Sequence, residues 1–267
     1  MTRRPSKEEV ASPSNTTEVE RYVRETFDLD IRFVRWQPTS AGGRTPVLVD
    51  QETGLEWLVI PAGKFELGLT DREVEQVHAL TKQPFLTIDE LKPTKLVHMS
   101  SYLMTVAPIS AAMVQGDADD TVGPRDTYLC DYSTAEQLAE RFDSALPTEC
   151  EWEYACRGGS QTLFWFGDKI LRKAAMETIL GLKTPESPNG FGLISLFFGE
   201  WCADFWRSDH GSQTPKDADA GHVIRGGAAR FWPWHDSREW AGCASAFRMS
   251  EKDADGAGVA VRLVRRV

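Results

Sequence analysis

The stretch from Leu146 to Gly159, LPTECEWEYACRGG, constrains the fold most strongly because it specifies one helix at both ends. Thr148 and Glu151 have the spacing of a capping box, in which each side chain satisfies a free backbone N–H group of the first turn. Gly158 and Gly159 end the helix, because glycine readily adopts the left-handed conformation that often follows a helix. The face that this helix would bury comprises Trp152, Ala155 and Cys156.

The same spacing recurs at Thr70 and Glu73 and at Ser133 and Glu136, and it predicts two further helices. The second of these has an apolar stripe formed by Ala135, Leu138, Ala139 and Phe142. A helix is also predicted over Glu18 to Phe27, and another over residues 168–181. Between them, residues 46–63 predict two strands around a turn at residues 52–54.

The chain changes character after Pro185, where Gly, Pro, Trp and Asp are frequent and apolar runs are short. This composition predicts short strands joined by long ordered loops. Such loops often carry binding or catalysis on a rigid scaffold. We expect residues 1–17 to be disordered, residues 18–54 to form an N-terminal extension, and residues 55–267 to form one domain.

The composition narrows the function classes. With 41% hydrophobic and 26% charged residues, the chain of 267 residues is typical of globular proteins. It has no apolar run of about 18 residues and no signal peptide at its polar start, so we expect a cytoplasmic protein without a membrane span. The net charge of −10, without a basic block, argues against nucleic-acid binding. The five cysteines lack zinc-site spacing, so we expect reduced, mostly buried thiols.

The helix-forming stretch LPTECEWEYACRGG closely resembles a motif of the formylglycine-generating enzyme (sulfatase-modifying factor) family. Further segments that resemble the family, in the family's order, are residues 58–68, 93–110, 189–206, 223–227 and 259–266. The resemblance spans residues 55–267. It implies an α+β domain of the formylglycine-generating-enzyme type, a C-type lectin-like fold with little regular secondary structure.

The resemblance implies several possible activities: copper-dependent oxidation of a sulfatase cysteine, iron-dependent sulfoxide synthesis, or plain ligand binding. Fold alone does not choose among them. The family's copper enzymes carry two cysteines after an Arg-Gly-Gly triplet; counted from Gly227, these positions hold Phe231 and Asp236. Cys243 is the only cysteine nearby, and Cu(I) requires soft thiolate ligands. We therefore expect no copper site.

Iron and calcium sites are not expected either. The iron-dependent branch needs a histidine triad, and the residues before the resemblance contain no histidine. The family's calcium loop corresponds to residues 196–202, where Glu200 remains, but one carboxylate is a poor site for a cation that prefers six to eight oxygens. We predict no catalytic residue, no metal and no cofactor. His210 and His222 have no recognisable partner in the sequence.

The segment after Gly227 is rich in tryptophan and arginine and falls where relatives form a substrate groove or ligand face. Tryptophan is enriched at binding hot spots, and interleaved polar residues would orient a ligand. We call the predicted ligand-binding residues the aromatic surface; they are Phe205, Trp206, Arg230, Phe231, Trp232, Trp234, His235, Arg238, Glu239, Trp240 and Arg248. The alternative is that several of these rings fill the core.

Other residues at family positions are expected to be structural. Trp152 and Trp201 should lie in the core, and Arg225 and Arg262 should fasten irregular loops by bidentate hydrogen bonds.

The leading hypothesis is a non-catalytic module that binds a protein, peptide or small molecule at the aromatic surface, alone or as a subunit of a larger complex. The alternative is a metal-dependent oxidoreductase of the sulfatase-modifying-factor or non-haem iron type, with a divergent site that uses Cys243 or a histidine centre.

Overall fold

The structure is a computed structural model of the chain. It describes residues 16–80, 88–92, 94–115, 127–165, 167–168, 190–193, 198–207, 221–226, 244–252 and 258–267. The helices are α1 (Thr16–Phe27), α2 (Asp71–Leu80), α3 (Ala111–Gln115), α4 (Tyr132–Arg141) and α5 (Glu149–Arg157), with a 3-10 turn at Ile88–Leu91. The strands are β1 (Ile31–Pro38), β2 (Arg44–Asp50), β3 (Glu56–Ile60), β4 (Gly63–Leu67), β5 (Lys95–Met99), β6 (Tyr102–Thr105), β7 (Leu129–Cys130), β8 (Gly199–Phe205), β9 (His222–Gly226), β10 (Arg248–Ser250), β11 (Val259–Ala260) and β12 (Val264–Arg266).

The larger sheet contains strands from both the N-terminal and the C-terminal part of the chain. Its order is β1-β2-β3-β6-β12, with every neighbouring pair antiparallel. The predicted pair of strands within residues 46–63 is confirmed as β2 and β3. The segment expected as an N-terminal extension thus supplies β1 and β2 to the main sheet.

The second sheet comes mainly from the loop-rich half of the chain and includes Phe205 and Arg248 of the aromatic surface. Its order is β10-β9-β8-β11-β7, and its strands have two to seven residues, which confirms the prediction of short strands after residue 185. The strands β4 and β5 form a separate antiparallel pair.

Helix α5 forms as predicted and lies against β4, β8 and β9. The backbone N of Thr148 donates to Oε2 of Glu151 at 2.7 Å, and the Glu151 N donates to Oγ1 of Thr148 at 3.2 Å. Gly158 ends the helix at φ 56°. Residues 151–157 are all buried, so α5 is a central element of the core.

Helix α4 begins at Tyr132, two residues earlier than a cap at Ser133 would place its start. Asp131 is the cap, and its Oδ1 accepts from the Thr134 N at 2.8 Å. The Asp131 carboxylate takes the capping role that was predicted for the Ser133 hydroxyl. Aspartate is as good a capping residue as serine, and Asp131 stands two residues earlier in the chain. The apolar stripe of this helix is buried as predicted.

The other helix predictions have mixed outcomes. Helix α2 has the predicted Thr70–Glu73 capping box. Helix α1 is confirmed and starts at Thr16, two residues before the predicted start. The helix predicted over residues 168–181 lies outside the described residues after Asp168.

The α+β class is confirmed. Trp152 and Trp201 are 1% and 3% exposed, so both belong to the core as predicted. Within the described ranges, no helix is long and apolar enough to cross a membrane.

Candidate functional site

The structure describes one border of the aromatic surface. Phe205 and Trp206 stand at the end of β8, and Arg248 opens β10. The remaining predicted ligand-binding residues lie outside the described residues; they are Arg230, Phe231, Trp232, Trp234, His235, Arg238, Glu239 and Trp240.

A column of aromatic rings leads from the core to this border. Tyr132 meets the core ring of Trp201 edge-on, with centroids 5.5 Å apart. The His222 ring stacks on Tyr132 at 3.3 Å with an interplanar angle of 4°, and Phe205 lies 4.3 Å beyond it. Phe205 is 42% exposed, whereas Trp201 is buried. The column thus holds one large apolar ring at the surface on a rigid support.

His222 has a partner, contrary to the expectation from the sequence. Its Nδ1 lies 3.3 Å from Oε2 of Glu251, and its backbone N donates to the same oxygen at 3.1 Å. The pair forms because β9 and β10 are antiparallel, which brings the residue after β10 beside the first residue of β9.

Burial and the neighbouring Glu136 carboxylate raise the pKa of Tyr132 to about 12, so its hydroxyl stays protonated.

Arg248 is a buried anchor and not an exposed contact. Its guanidinium lies 4.2 Å from the ring centroid of Trp206, and its Nη1 donates to the Arg207 carbonyl at 2.8 Å. Its Nε is 3.1 Å from Oε2 of Glu149, and its side chain is 1% exposed. Burial lowers the pKa of Arg248 although Glu149 opposes the shift. Arg248 therefore holds Trp206 in place by a cation–π contact.

Arg225 fastens the loop before β10, as predicted. Its Nη1 donates to the carbonyls of Ala246 and Phe247 at 2.7 and 3.0 Å, and its Nη2 pairs with the buried Glu153 carboxylate. This contact fixes the chain that leads into Arg248.

Glu200 is fully engaged inside the protein. Its two oxygens accept from Nη2 and Nε of Arg262 at 2.7 Å each, and one of them also accepts from Nε1 of Trp152 at 2.7 Å. Arg262 also donates to the carbonyls of Thr105 and Val106 at 2.9 and 2.8 Å. The predicted fastening role of Arg262 is confirmed, and the one carboxylate left from the family's calcium loop serves this ion pair.

Comparison with known proteins decides the family. The model of the sulfatase-modifying factor enzyme 1-like domain family matches residues 45–267. The chain belongs to this family.

Curated relatives match only part of the chain. Formylglycine-generating enzymes from Mus musculus and Bos taurus are 35% and 32% identical over 31% of this chain and 29% of their own length. The enzyme from Thermomonospora curvata is 30% identical over 26% of this chain and 30% of its own. The chain therefore aligns with less than a third of each of these relatives.

Solved structures share the fold. PvdO from Pseudomonas aeruginosa superposes with a TM-score of 0.57 at 21% identity, covering 83% of this chain and 98% of that one. Treponema denticola variable protein 1 superposes with a TM-score of 0.52 at 16% identity, covering 89% and 99%. These likenesses establish the family fold and nothing about activity.

The cysteines that the structure describes are free thiols. Burial raises the pKa of Cys130 to about 11 and those of Cys150 and Cys156 to about 12, so none of these is a thiolate at neutral pH. Cys243 and the positions Phe231 and Asp236 lie outside the described residues. Among the side chains that are described, none form a group of three or more metal-ligating residues.

Sequence reasoning missed Tyr132 and the His222–Glu251 pair. Tyr132 directly follows the cap residue of α4, and His222 directly precedes the Val-Ile-Arg-Gly-Gly segment. An aromatic side chain beside a helix cap and another at the start of a strand are local signals. The register of β8 and β9 brings His222 beside Phe205, and the packing of α4 against this sheet brings Tyr132 onto His222.

Proposed function

We propose that the chain is a non-catalytic member of the sulfatase-modifying factor enzyme 1-like family that binds a protein, peptide or small molecule through the aromatic surface. The observation that carries this proposal is the exposed Phe205 ring, 42% accessible at the end of the stacked column. Large aromatic rings with few rotatable bonds lose little entropy on binding and are typical anchors of interfaces.

The border of the surface is rigid before any ligand binds. Arg248 fixes the Trp206 ring, and His222 and Tyr132 support Phe205. Because these side chains are already ordered, a ligand that packs on them pays a smaller entropic penalty.

The cysteine positions support a non-catalytic role. Where the family resemblance places the copper-binding pair, this chain has Phe231 and Asp236. A phenyl ring cannot coordinate a metal, and a carboxylate is a hard ligand unsuited to Cu(I). The same change adds an aromatic residue to the proposed binding surface.

A displayed peptide library tests the binding role. We expect peptides selected on the wild-type chain to lose about tenfold or more in affinity with Phe205→Ala and Trp234→Ala, the effect of removing hot-spot rings. Val34→Ala is the matched control, because Val34 is 40% exposed on the distant strand β1. Fluorescence anisotropy would measure the affinities.

Two results would overturn the proposal. One is that every selected peptide binds the Phe205 and Trp234 variants as tightly as the wild type. The other is that Trp234→Ala unfolds the chain, as measured by circular dichroism, because the ring would then belong to the core.

A further inference from the structure

A cleft of about 640 Å³ lies between α1 and the part of the larger sheet where β6 begins and β12 ends. Helix α1 contributes Tyr22, Glu25 and Thr26 to one wall, and residues 99–102 and Arg266 form the other. The volume is within the range of small-molecule sites, about 300 to 1,000 Å³. The α1 wall precedes residues 45–267, which match the family, so the cleft depends on a helix outside the family domain.

Both walls are held in place by contacts within the protein. Val19, Val23 and Phe27 of α1 are buried, and Nε of Arg24 donates to the Ile31 carbonyl at 3.1 Å. On the other wall, the Tyr102 hydroxyl donates to the Glu151 carbonyl at 2.6 Å. The cleft is therefore formed before a ligand enters, which lowers the entropic cost of binding.

Arg266 supplies a fixed hydrogen-bond donor. Its Nε and Nη2 bind the two carboxylate oxygens of Glu151 at 2.7 Å each, and Nη2 also donates to the Leu146 carbonyl at 3.0 Å. Its Nη1 makes no hydrogen bond to any residue the structure describes, and its side chain is 41% exposed. The fork-shaped ion pair fixes the guanidinium plane, so Nη1 can donate to a ligand in one orientation.

Glu25 supplies an acceptor on the opposite wall. It is exposed and has no ion pair or hydrogen bond with the described part of the chain. Together with Glu151 and Arg266, it gives the cleft two carboxylate side chains and one guanidinium, a net side-chain charge of −1. A ligand with one positive charge complements this balance, and Tyr22 and Met99 offer apolar surface for its body.

We propose that this cleft binds a small primary amine that also carries a carbonyl oxygen and an apolar group, such as the amide of an α-amino acid. The ammonium pairs with Glu25, and the carbonyl accepts from Nη1 of Arg266. None of the residues that line the cleft belongs to the aromatic surface, and this inference does not depend on the proposed function.

Titration calorimetry of the full chain with phenylalaninamide tests the proposal. We expect saturable 1:1 binding with a Kd on the order of 1 mM, the affinity usual for a ligand with so few heavy atoms. Glu25→Gln should weaken binding about threefold to fivefold, the effect of losing one exposed ion pair. N-acetylphenylalaninamide, which lacks the ammonium, should bind the wild type at least as weakly. The substitution removes the charge of Glu25 with little change of shape, and the acetylation removes the ammonium of the ligand.

The matched control is Glu52→Gln, the same substitution at an exposed residue in the β2–β3 turn. It should bind phenylalaninamide like the wild type. Ser100→Trp, which fills the cleft from the exposed connection before β6, should abolish binding while the circular dichroism spectrum is retained. The proposal is wrong if phenylalaninamide does not saturate, or if Glu25→Gln, Ser100→Trp and the acetylated probe leave binding unchanged.

Discussion

At the scale of single residues, buried ion pairs hold the irregular half of the chain. Glu200 and Arg262 have side chains with 0% exposure, and Arg225 and Glu153 are equally buried. A buried ion pair adds little stability compared with well-packed apolar residues in its place. Removing one partner alone is costly, because it leaves an uncompensated buried charge. These residues are therefore sensitive to single substitutions.

We predict that Glu200→Gln lowers the free energy of unfolding by about 3–5 kcal/mol, the usual cost of breaking a buried pair on one side. Glu56→Gln is the control, because the Glu56–Arg35 pair is 37% and 38% exposed and should cost less than about 1 kcal/mol. Urea denaturation would measure both. Equal losses for the two variants would contradict the structural role of Glu200.

Sequence reasoning identified the buried arginines but not their partners. Arg225 and Arg262 were predictable as loop fasteners from the family resemblance. Glu200, however, lies 62 residues from Arg262, and Glu153 lies 72 residues from Arg225. A partner at such separation is set by how elements pack, which no local pattern encodes.

At the scale of elements, helix caps decide where α4 and α5 begin. Both Asp131 and Ser133 are good cap residues, so the sequence alone leaves two starts for α4. Asp131 is the cap because its carboxylate accepts a hydrogen bond from the Thr134 N. The helix therefore starts with Tyr132, whose ring belongs to the column of aromatic rings. For α5, Thr148 with Glu151 offers a complete capping box, and the predicted start of this helix was correct.

We predict that Asp131→Ala and Thr148→Ala each destabilise the protein by about 1 kcal/mol, the typical value of a cap. Ser133→Ala should change stability by less than about 0.5 kcal/mol, since its hydroxyl caps nothing. Thermal denaturation would measure all three. A larger loss of stability for Ser133→Ala than for Asp131→Ala would show that Ser133, and not Asp131, caps α4.

The glycine that ends α5 is required by close packing as well as by its backbone angle. A Cβ on Gly158 would lie 2.0 Å from the carbonyl carbon of Gly190. Gly42 has a similar positive φ of 82° but nothing within 4 Å of a built Cβ.

We predict that Gly42→Ala costs about 1–2 kcal/mol from backbone strain alone. Gly158→Ala should cost clearly more, because strain and a backbone clash add. Urea denaturation of the two variants measures the difference. Equal losses would show that the approach of Gly190 is not a tight constraint.

At the scale of the whole molecule, the family resemblance predicted the domain and its class but not how the N-terminal segment joins it. Residues 18–54 were expected as an extension, yet β1 and β2 belong to the main sheet. The family landmarks begin after these strands, so the resemblance does not include them, although the strand pair predicted within residues 46–63 already joins β2 to β3. Most of the aromatic surface lies outside the described residues, so whether its rings contact a ligand stays a prediction.

The buried thiols and phenol make the whole fold sensitive to alkali. The pKa of Cys150 rises from 9.0 to about 12, and that of Tyr132 from 10.0 to about 12, because burial disfavours the charged forms. The folded chain therefore binds more protons than the unfolded chain above about pH 9, and stability falls as pH rises.

We predict a decreasing free energy of unfolding between about pH 9 and pH 12, measured by urea denaturation with reductant present. Cys150→Ala should make the decline shallower, because one group with a raised pKa is removed. An unchanged slope in this variant, or stability that increases with pH, would contradict the protonated thiol.

The central claim is that this member of the family binds a ligand without a catalytic metal. The most direct test is elemental analysis of the purified chain after exposure to Cu(I), Fe(II) and Ca²⁺ under reducing conditions. Phe231→Cys combined with Asp236→Cys restores the thiolate pair and serves as the positive control for copper. We expect no stoichiometric metal in the wild type and about one copper ion in the double variant; one copper or iron ion per wild-type chain would instead identify a divergent metal-dependent oxidoreductase.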